Sequence, residues 1–132
     1  MHVVIASPEG YKPDEEMVKE ALEDAKENGG QVEVISDPLE AVRDADVLYT
    51  DVWASMGQEK EAEERARAFA GFQINAKSLK LAQKDAMILH CLPAHRGEEI
   101  TPEVMEGPQS AIFDEAENRL HAQKAILALL MG

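Results

Sequence analysis

Val3-Val4-Ile5-Ala6-Ser7-Pro8-Glu9-Gly10 decides the fold class. Its first four residues are a continuous apolar, largely β-branched run, and its last four are turn formers. A strand that does not alternate with polar residues is covered on both faces, as strands of a parallel sheet are. The residues that follow agree. Pro13-Asp14-Glu15-Glu16 opens a helix, with acidic side chains where the helix dipole favours them. Met17, Val18, Ala21, Leu22 and Ala25 recur at helical spacing, and Asn28-Gly29-Gly30 stops the helix. Val32-Glu33-Val34-Ile35 then reads as a second strand.

The alternation continues along the chain. Asp37-Pro38 opens a short helix carrying Leu39, Ala41 and Val42, and Val47-Leu48-Tyr49-Thr50 is the third strand. A polar segment, 51–57, leads into a charged helix over 58–70 with Ala62, Ala66, Phe69 and Ala70 on one stripe. Residues 75–81 predict a short helix, and Ala86-Met87-Ile88-Leu89-His90 a fourth strand ended by Cys91-Leu92-Pro93. Thr101-Pro102-Glu103 caps a helical turn, Ser110-Ala111-Ile112-Phe113 reads as a fifth strand, and 114–131 is the closing helix. Strands alternating with helices imply one α/β domain, 1–132, on a parallel sheet. The run Ala125-Ile126-Leu127-Ala128-Leu129-Leu130-Met131 is apolar nearly all round, so more protein should cover it, from this chain or from a second copy in a homodimer.

Composition narrows the function classes. The chain has 132 residues, 45% of them hydrophobic, enough for one real core. Its 26 acidic residues against 13 basic ones give a net charge of −13. That balance argues against nucleic acid and against an anionic membrane surface, because both are held by clustered Lys and Arg. The single cysteine, Cys91, excludes an internal disulfide and suits a reducing cytosol. No apolar stretch reaches the roughly 18 residues that span a bilayer. No secretory signal pattern is visible, so a soluble cytoplasmic protein is expected.

In open parallel sheets, ligands bind beyond the carboxyl ends of the strands. Three segments place reactive or anchoring side chains there. Asp51-Val52-Trp53-Ala54-Ser55-Met56-Gly57 follows the third strand. His90-Cys91-Leu92-Pro93 ends the fourth. Asn118-Arg119-Leu120-His121 lies early in the last helix. Asp51 reads as an ammonium anchor or as a turn cap. Trp53 reads as a lid or as a core anchor. Cys91 is a weak nucleophile unless its pKa is lowered, with His95 in reach as a base, or else a buried inert thiol. Arg119 reads as an anion grip or as a surface partner of Glu115 or Glu117. His90 and Cys91, adjacent on a strand, point to opposite faces, so no metal is expected. Ser7-Pro8-Glu9-Gly10 is neither a dinucleotide fingerprint nor a Walker loop, so no cofactor is expected.

Taken together and in this order, the three segments resemble those of ornithine carbamoyltransferases. The chain resembles the later part of that family's second, ornithine-binding domain. The resemblance implies roles residue by residue. Asp51 and Ser55 hold the α-amino group of ornithine, and the backbone of Met56 meets its carboxylate, with Gly57 allowing the loop to close. Cys91 sits beside the δ-amine and helps keep it deprotonated. The Leu92 carbonyl contacts the amino group of carbamoyl phosphate, and Arg119 polarises that substrate's carbonyl. The implied reaction is attack of the neutral δ-amine on carbamoyl phosphate, giving citrulline and phosphate, a step of arginine biosynthesis. A cationic amine cannot attack, and developing oxyanion charge needs a fixed cation, so the residue types fit the chemistry.

The resemblance also implies what this sequence leaves out: the carbamoyl-phosphate domain with its Ser-Thr-Arg-Thr-Arg loop, and the first strand, helix and Asn-bearing loop of the ornithine domain. Half a bisubstrate site cannot align two reactants, so this chain alone is expected to be inactive. A six-stranded Rossmann-like sheet that lacks its central strand must close the gap or leave two edges unpaired. Closure predicts a three-layer, five-stranded parallel sheet in the flavodoxin-like order 2-1-3-4-5. Residues 3–6 would then pair with 47–50, and the last helix would dock beside 13–28. Two other classes fit the same pattern less fully. A phospho-receiver module would use Asp51 but lacks the acidic residues after strand one and the Lys after strand five. A folded interaction module would bind no ligand.

Overall fold

The structure, a computed structural model, describes residues 1–54, 57 and 61–132. In chain order the elements are β1 (His2–Ala6), α1 (Glu15–Asn28), β2 (Gln31–Ile35), α2 (Pro38–Ala41), β3 (Val47–Thr50), α3 (Ala62–Phe69), α4 (Ala76–Leu79), β4 (Met87–His90), α5 (Pro102–Met105) and α6 (Ile112–Met131). Local chemistry sets several of the boundaries. Asp14 caps α1 by accepting from the amides of Glu16 and Met17, and Gly29 ends it in the left-handed region at φ 68°, which costs glycine nothing. Asp37 caps α2, with Pro38 in its first turn. Asn75 and Ser78 form a reciprocal capping box at α4.

The strands form two parallel pairs rather than one sheet. β1 pairs with β2 from His2↔Gln31 to Ala6↔Ile35, and β3 pairs with β4 from Val47↔Met87 to Thr50↔His90. The expected fifth strand is reduced to a single bridge, Ser110↔Ile88. The Ile88 amide donates to the Gln109 carbonyl, and the Ala111 amide to the Ile88 carbonyl, both at 2.9 Å. The chain then turns into α6 at Ile112, which is fully buried in the first turn. An apolar run read as a strand is thus spent anchoring a helix.

The expected closure of β1 onto β3 does not occur. Among the described residues no ladder joins them, and the flavodoxin-like order 2-1-3-4-5 is not formed. A cavity of about 350 Å³ separates them instead, lined by Val4 and Ala6 on one side and by 47–50 on the other. The expectation assumed that open edges would be buried without partners. They are not buried: Val47 and Tyr49 are 49% and 57% exposed, and β1 is at most half-buried, so water reaches these edges. Side chains already packed elsewhere also floor the cavity. Val42 lies against the main core, and Trp53 stacks on Phe69 at 6.2 Å.

The core is one-sided. Leu48, Ile74, Ile88, Ile100, Val104, Met105 and Ile112 form one buried cluster, all from β3 onward. The docking of the last helix beside 13–28 is not seen either: from residue 117 to the end, every residue of the chain is exposed. α6 touches β4 through its first turns only, because Ile112 is its only buried residue. Among the described residues, no helix is long and apolar enough to cross a membrane.

Candidate active site

The ends of β3 and β4 lie side by side, because the last registered pair is Thr50↔His90. The next residues, Asp51 and Cys91, therefore leave the sheet together. Cys91 Sγ donates to Asp51 Oδ1 at 3.0 Å, and the Val52 amide donates to the same oxygen at 2.7 Å. Of the two readings open for Asp51, the turn cap is seen, since Oδ1 accepts the Val52 amide, and the residue is exposed. The Cys91 thiol is pushed up from its ordinary value, first by desolvation and then by the neighbouring Asp51 carboxylate. It is a neutral hydrogen-bond donor at pH 7, not a thiolate nucleophile.

A buried histidine organises the turn that carries Cys91. His90 Nδ1 accepts the Leu92 amide at 2.9 Å, so the ring proton sits on Nε2, which faces Glu99 Oε1 at 3.1 Å. His90 and Glu99 are both fully buried. The same Glu99 oxygen accepts the His95 amide, and the His90 amide donates to Glu115 at 2.9 Å. Leu92 has φ 56°, a conformation that costs a side-chain-bearing residue roughly 1–2 kcal/mol. The bond from its amide to the imidazole helps offset that cost, and the Leu92–Pro93 peptide is cis.

Asp51, Cys91 and Leu92 are thus brought together at one pair of strand ends. Arg119 is exposed on α6, and among the described residues it pairs with neither Glu115 nor Glu117. Ser55 and Met56 lie outside the described residues. Trp53 is half-buried, in an aromatic group with Phe69, Tyr11 and Phe72, and its carbonyl accepts from Arg65. His95 faces Glu98 rather than the thiol. His90 and Cys91 do not send their side chains to opposite faces as strand alternation predicts. Strand alternation stops at His90, and ligand atoms of Asp51, His90 and Cys91 lie within 4.8 Å of one another. That set still offers an ion little, because both ring nitrogens of His90 are engaged.

Three contributors were missed at the sequence level. Glu99 and Glu115 fix the histidine, yet they sit in acidic stretches that read as solvated charge. Tyr49, beside the thiol on β3, has its phenol pushed up to about 12, by desolvation first and then by Cys91 and Glu115. Only the adjacency of the two strand ends could have singled it out.

Known proteins resemble this chain along almost its whole length. Residues 1–130 match the family described as aspartate/ornithine carbamoyltransferase, Asp/Orn binding domain. The ornithine carbamoyltransferase of Pyrococcus abyssi is 62% identical over 130 residues, covering 98% of this chain and 41% of the relative. That of Symbiobacterium thermophilum is 62% identical over the whole chain and 43% of its own length. The solved Pyrococcus furiosus ornithine carbamoyltransferase superposes with a TM-score of 0.93 at 60% identity, over 99% of this chain and 42% of that one. The chain therefore spans about 41% of the length of the first curated relatives it matches. It belongs to the aspartate/ornithine carbamoyltransferase family and corresponds to part of that family's Asp/Orn-binding domain.

Proposed function

We propose that this chain supplies the ornithine-holding part of an ornithine carbamoyltransferase site, with Asp51 and Cys91 at its centre. The observation that carries the reading is the 3.0 Å contact between the Cys91 thiol and the Asp51 carboxylate at adjoining strand ends. A carboxylate with a neutral thiol beside it suits a diamine substrate. Asp51, with Ser55, anchors the α-ammonium group, the Met56 backbone meets the carboxylate, and Cys91 offers the δ-amine a partner without a positive charge.

In the reaction, the δ-nitrogen forms a bond to the carbonyl carbon of carbamoyl phosphate. The carbon–oxygen bond to phosphate breaks, phosphate leaves with the electron pair, and the amine loses one proton. Leu92 would direct its carbonyl at the amino group of carbamoyl phosphate, and Arg119 would reach that substrate's carbonyl oxygen. The carbamoyl-phosphate-binding part is not among these residues, so the isolated chain makes no citrulline.

Calorimetric titration with ornithine, and with norvaline, which lacks the δ-amine, tests the reading. Binding of ornithine that weakens at least tenfold in Asp51→Ala is expected. Equal binding by the parent chain and Asp51→Ala would overturn the assignment, and so would citrulline formed by the chain alone from both substrates.

A further inference from the structure

The loop between β4 and α5 holds a second cluster that the proposed site does not use. His95 Nδ1 stands 3.7 Å from Glu98 Oε2, and both side chains are about half exposed. Beneath them lies Glu99, fully buried. Its Oε1 accepts the His95 amide and faces His90 Nε2, while its Oε2 is buried with no hydrogen-bond partner among the described residues. One ligand atom from each of His95, Glu98 and Glu99 falls within 4.8 Å of the other two.

We propose that His95, Glu98 and Glu99 form a binding site for a divalent cation of the zinc class. A buried carboxylate oxygen without a partner costs roughly 1–3 kcal/mol, and native structures rarely leave one so. A cation that Glu99 held through this oxygen would satisfy it. Imidazole and carboxylate ligands bind zinc at about 2.0–2.2 Å, which puts neighbouring ligands of a tetrahedral site roughly 3.4 Å apart. The His95–Glu98 separation is close to that. Both exposed side chains can rotate the remaining distance, whereas Glu99 is fixed.

The imidazole selects against magnesium and calcium, which prefer all-oxygen shells. Two carboxylates neutralise the ion, and the net charge of −13 draws cations to the chain. The backbone that presents these ligands is already built. The Glu98 amide donates to the His95 carbonyl, and the Gly97 amide to the Ile100 carbonyl. Gln73 donates to the carbonyls of Gly97 and Glu98 at 2.9 and 2.7 Å. Gly97 sits at φ 92°, where a side chain would be strained. Three protein ligands leave the fourth position to water, as in open zinc sites.

Titration of the chain with zinc chloride, followed calorimetrically, tests the site, with cobalt(II) absorption as the second readout. One ion per chain is expected. His95→Ala and Glu98→Gln, both at exposed positions that leave the core intact, should each weaken it at least roughly tenfold. Cys91→Ser should leave affinity unchanged, and the cobalt spectrum should lack a thiolate charge-transfer band. Absence of binding would overturn the proposal. So would affinity lost in Cys91→Ser but kept in His95→Ala, which would place the ion at the thiol. No arm of the test uses ornithine, so its failure and a failure of the proposed substrate site are read separately.

Discussion

The two strand pairs of this molecule are alike in backbone and unlike in what they bury. β1–β2 and β3–β4 are both parallel and both fully registered. Yet every residue of the buried apolar cluster lies from β3 onward. Among residues 1–46, Ser7 is the only buried one. Helix α1 buries nothing, and Met17 and Leu22 on its apolar stripe are 64% and 47% exposed. A ladder of hydrogen bonds therefore forms on either side of the cavity, but burial, the larger source of stability, is concentrated on one side. The candidate active site stands on that side. Asp51, Cys91 and the His90–Glu99 pair all grow from β3 and β4, so the site's geometry does not depend on the weaker half.

The largest test of this asymmetry is a pair of truncations. Ile88→Ala removes a fully buried side chain from the centre of the cluster and should cost about 2–5 kcal/mol. Val4→Ala, at a half-buried position beside the cavity, should cost about 1 kcal/mol. Urea denaturation measures both. Equal losses would mean that the two halves share one cooperative core after all.

How much of this was legible beforehand follows from the same contrast. Local signals are short-range, and most survived: Asp14, Asp37 and Asn75 cap the helices they were expected to open, and β3 falls on residues 47–50, whereas Thr101 precedes α5 without a side-chain cap bond. The placement of Asp51 and Cys91 at strand ends was legible for the same reason, since each follows a strand directly. Long-range pairing was not. Whether β1 meets β3 depends on how exposed edges trade water for backbone partners, and no local pattern reports that balance. The run at 110–113 misled because an apolar tetrapeptide suits a strand and a helix start equally, and burial of Ile112 chose the helix. Glu99 stayed hidden because a charged residue in an acidic loop carries no mark of burial.

The next effect is one of pH, and it too belongs to the better-packed half. Cys91 is raised above its ordinary value of 9.0, and Tyr49 from 10.0 to about 12. Both are groups whose neutral form is favoured in the folded chain. The stability they contribute is whole below the unfolded values and is lost as pH rises through the folded ones. The window thus opens near pH 9 for the thiol and runs from about pH 10 to 12 for the phenol. Urea midpoints should fall across this range, and Cys91→Ser should flatten the first part of the fall. A midpoint independent of pH up to 11 would show that the two groups titrate as they do in the unfolded chain.

The smallest effects sharpen the comparison most, because they ask where unfolding begins. Asp14 and Asn75 perform the same task, each accepting two amides at a helix start, one in each half. Replacing either by Ala should remove about 1 kcal/mol. The readout should differ even where the magnitude does not. Helix α1 has no buried residue, so it can open without disturbing the cluster, and Asp14→Ala should speed amide hydrogen exchange in α1 and leave β4 protected. Helix α4 buries Ser78, and its Leu79 packs on the cluster, so it cannot open alone. Asn75→Ala should therefore raise exchange in β4 and α5 by the same factor as in α4. If Asp14→Ala also accelerates exchange at Ile88, the cavity between the halves transmits more than its unpaired edges imply, and the aromatic group around Phe69 becomes the place to look for the link.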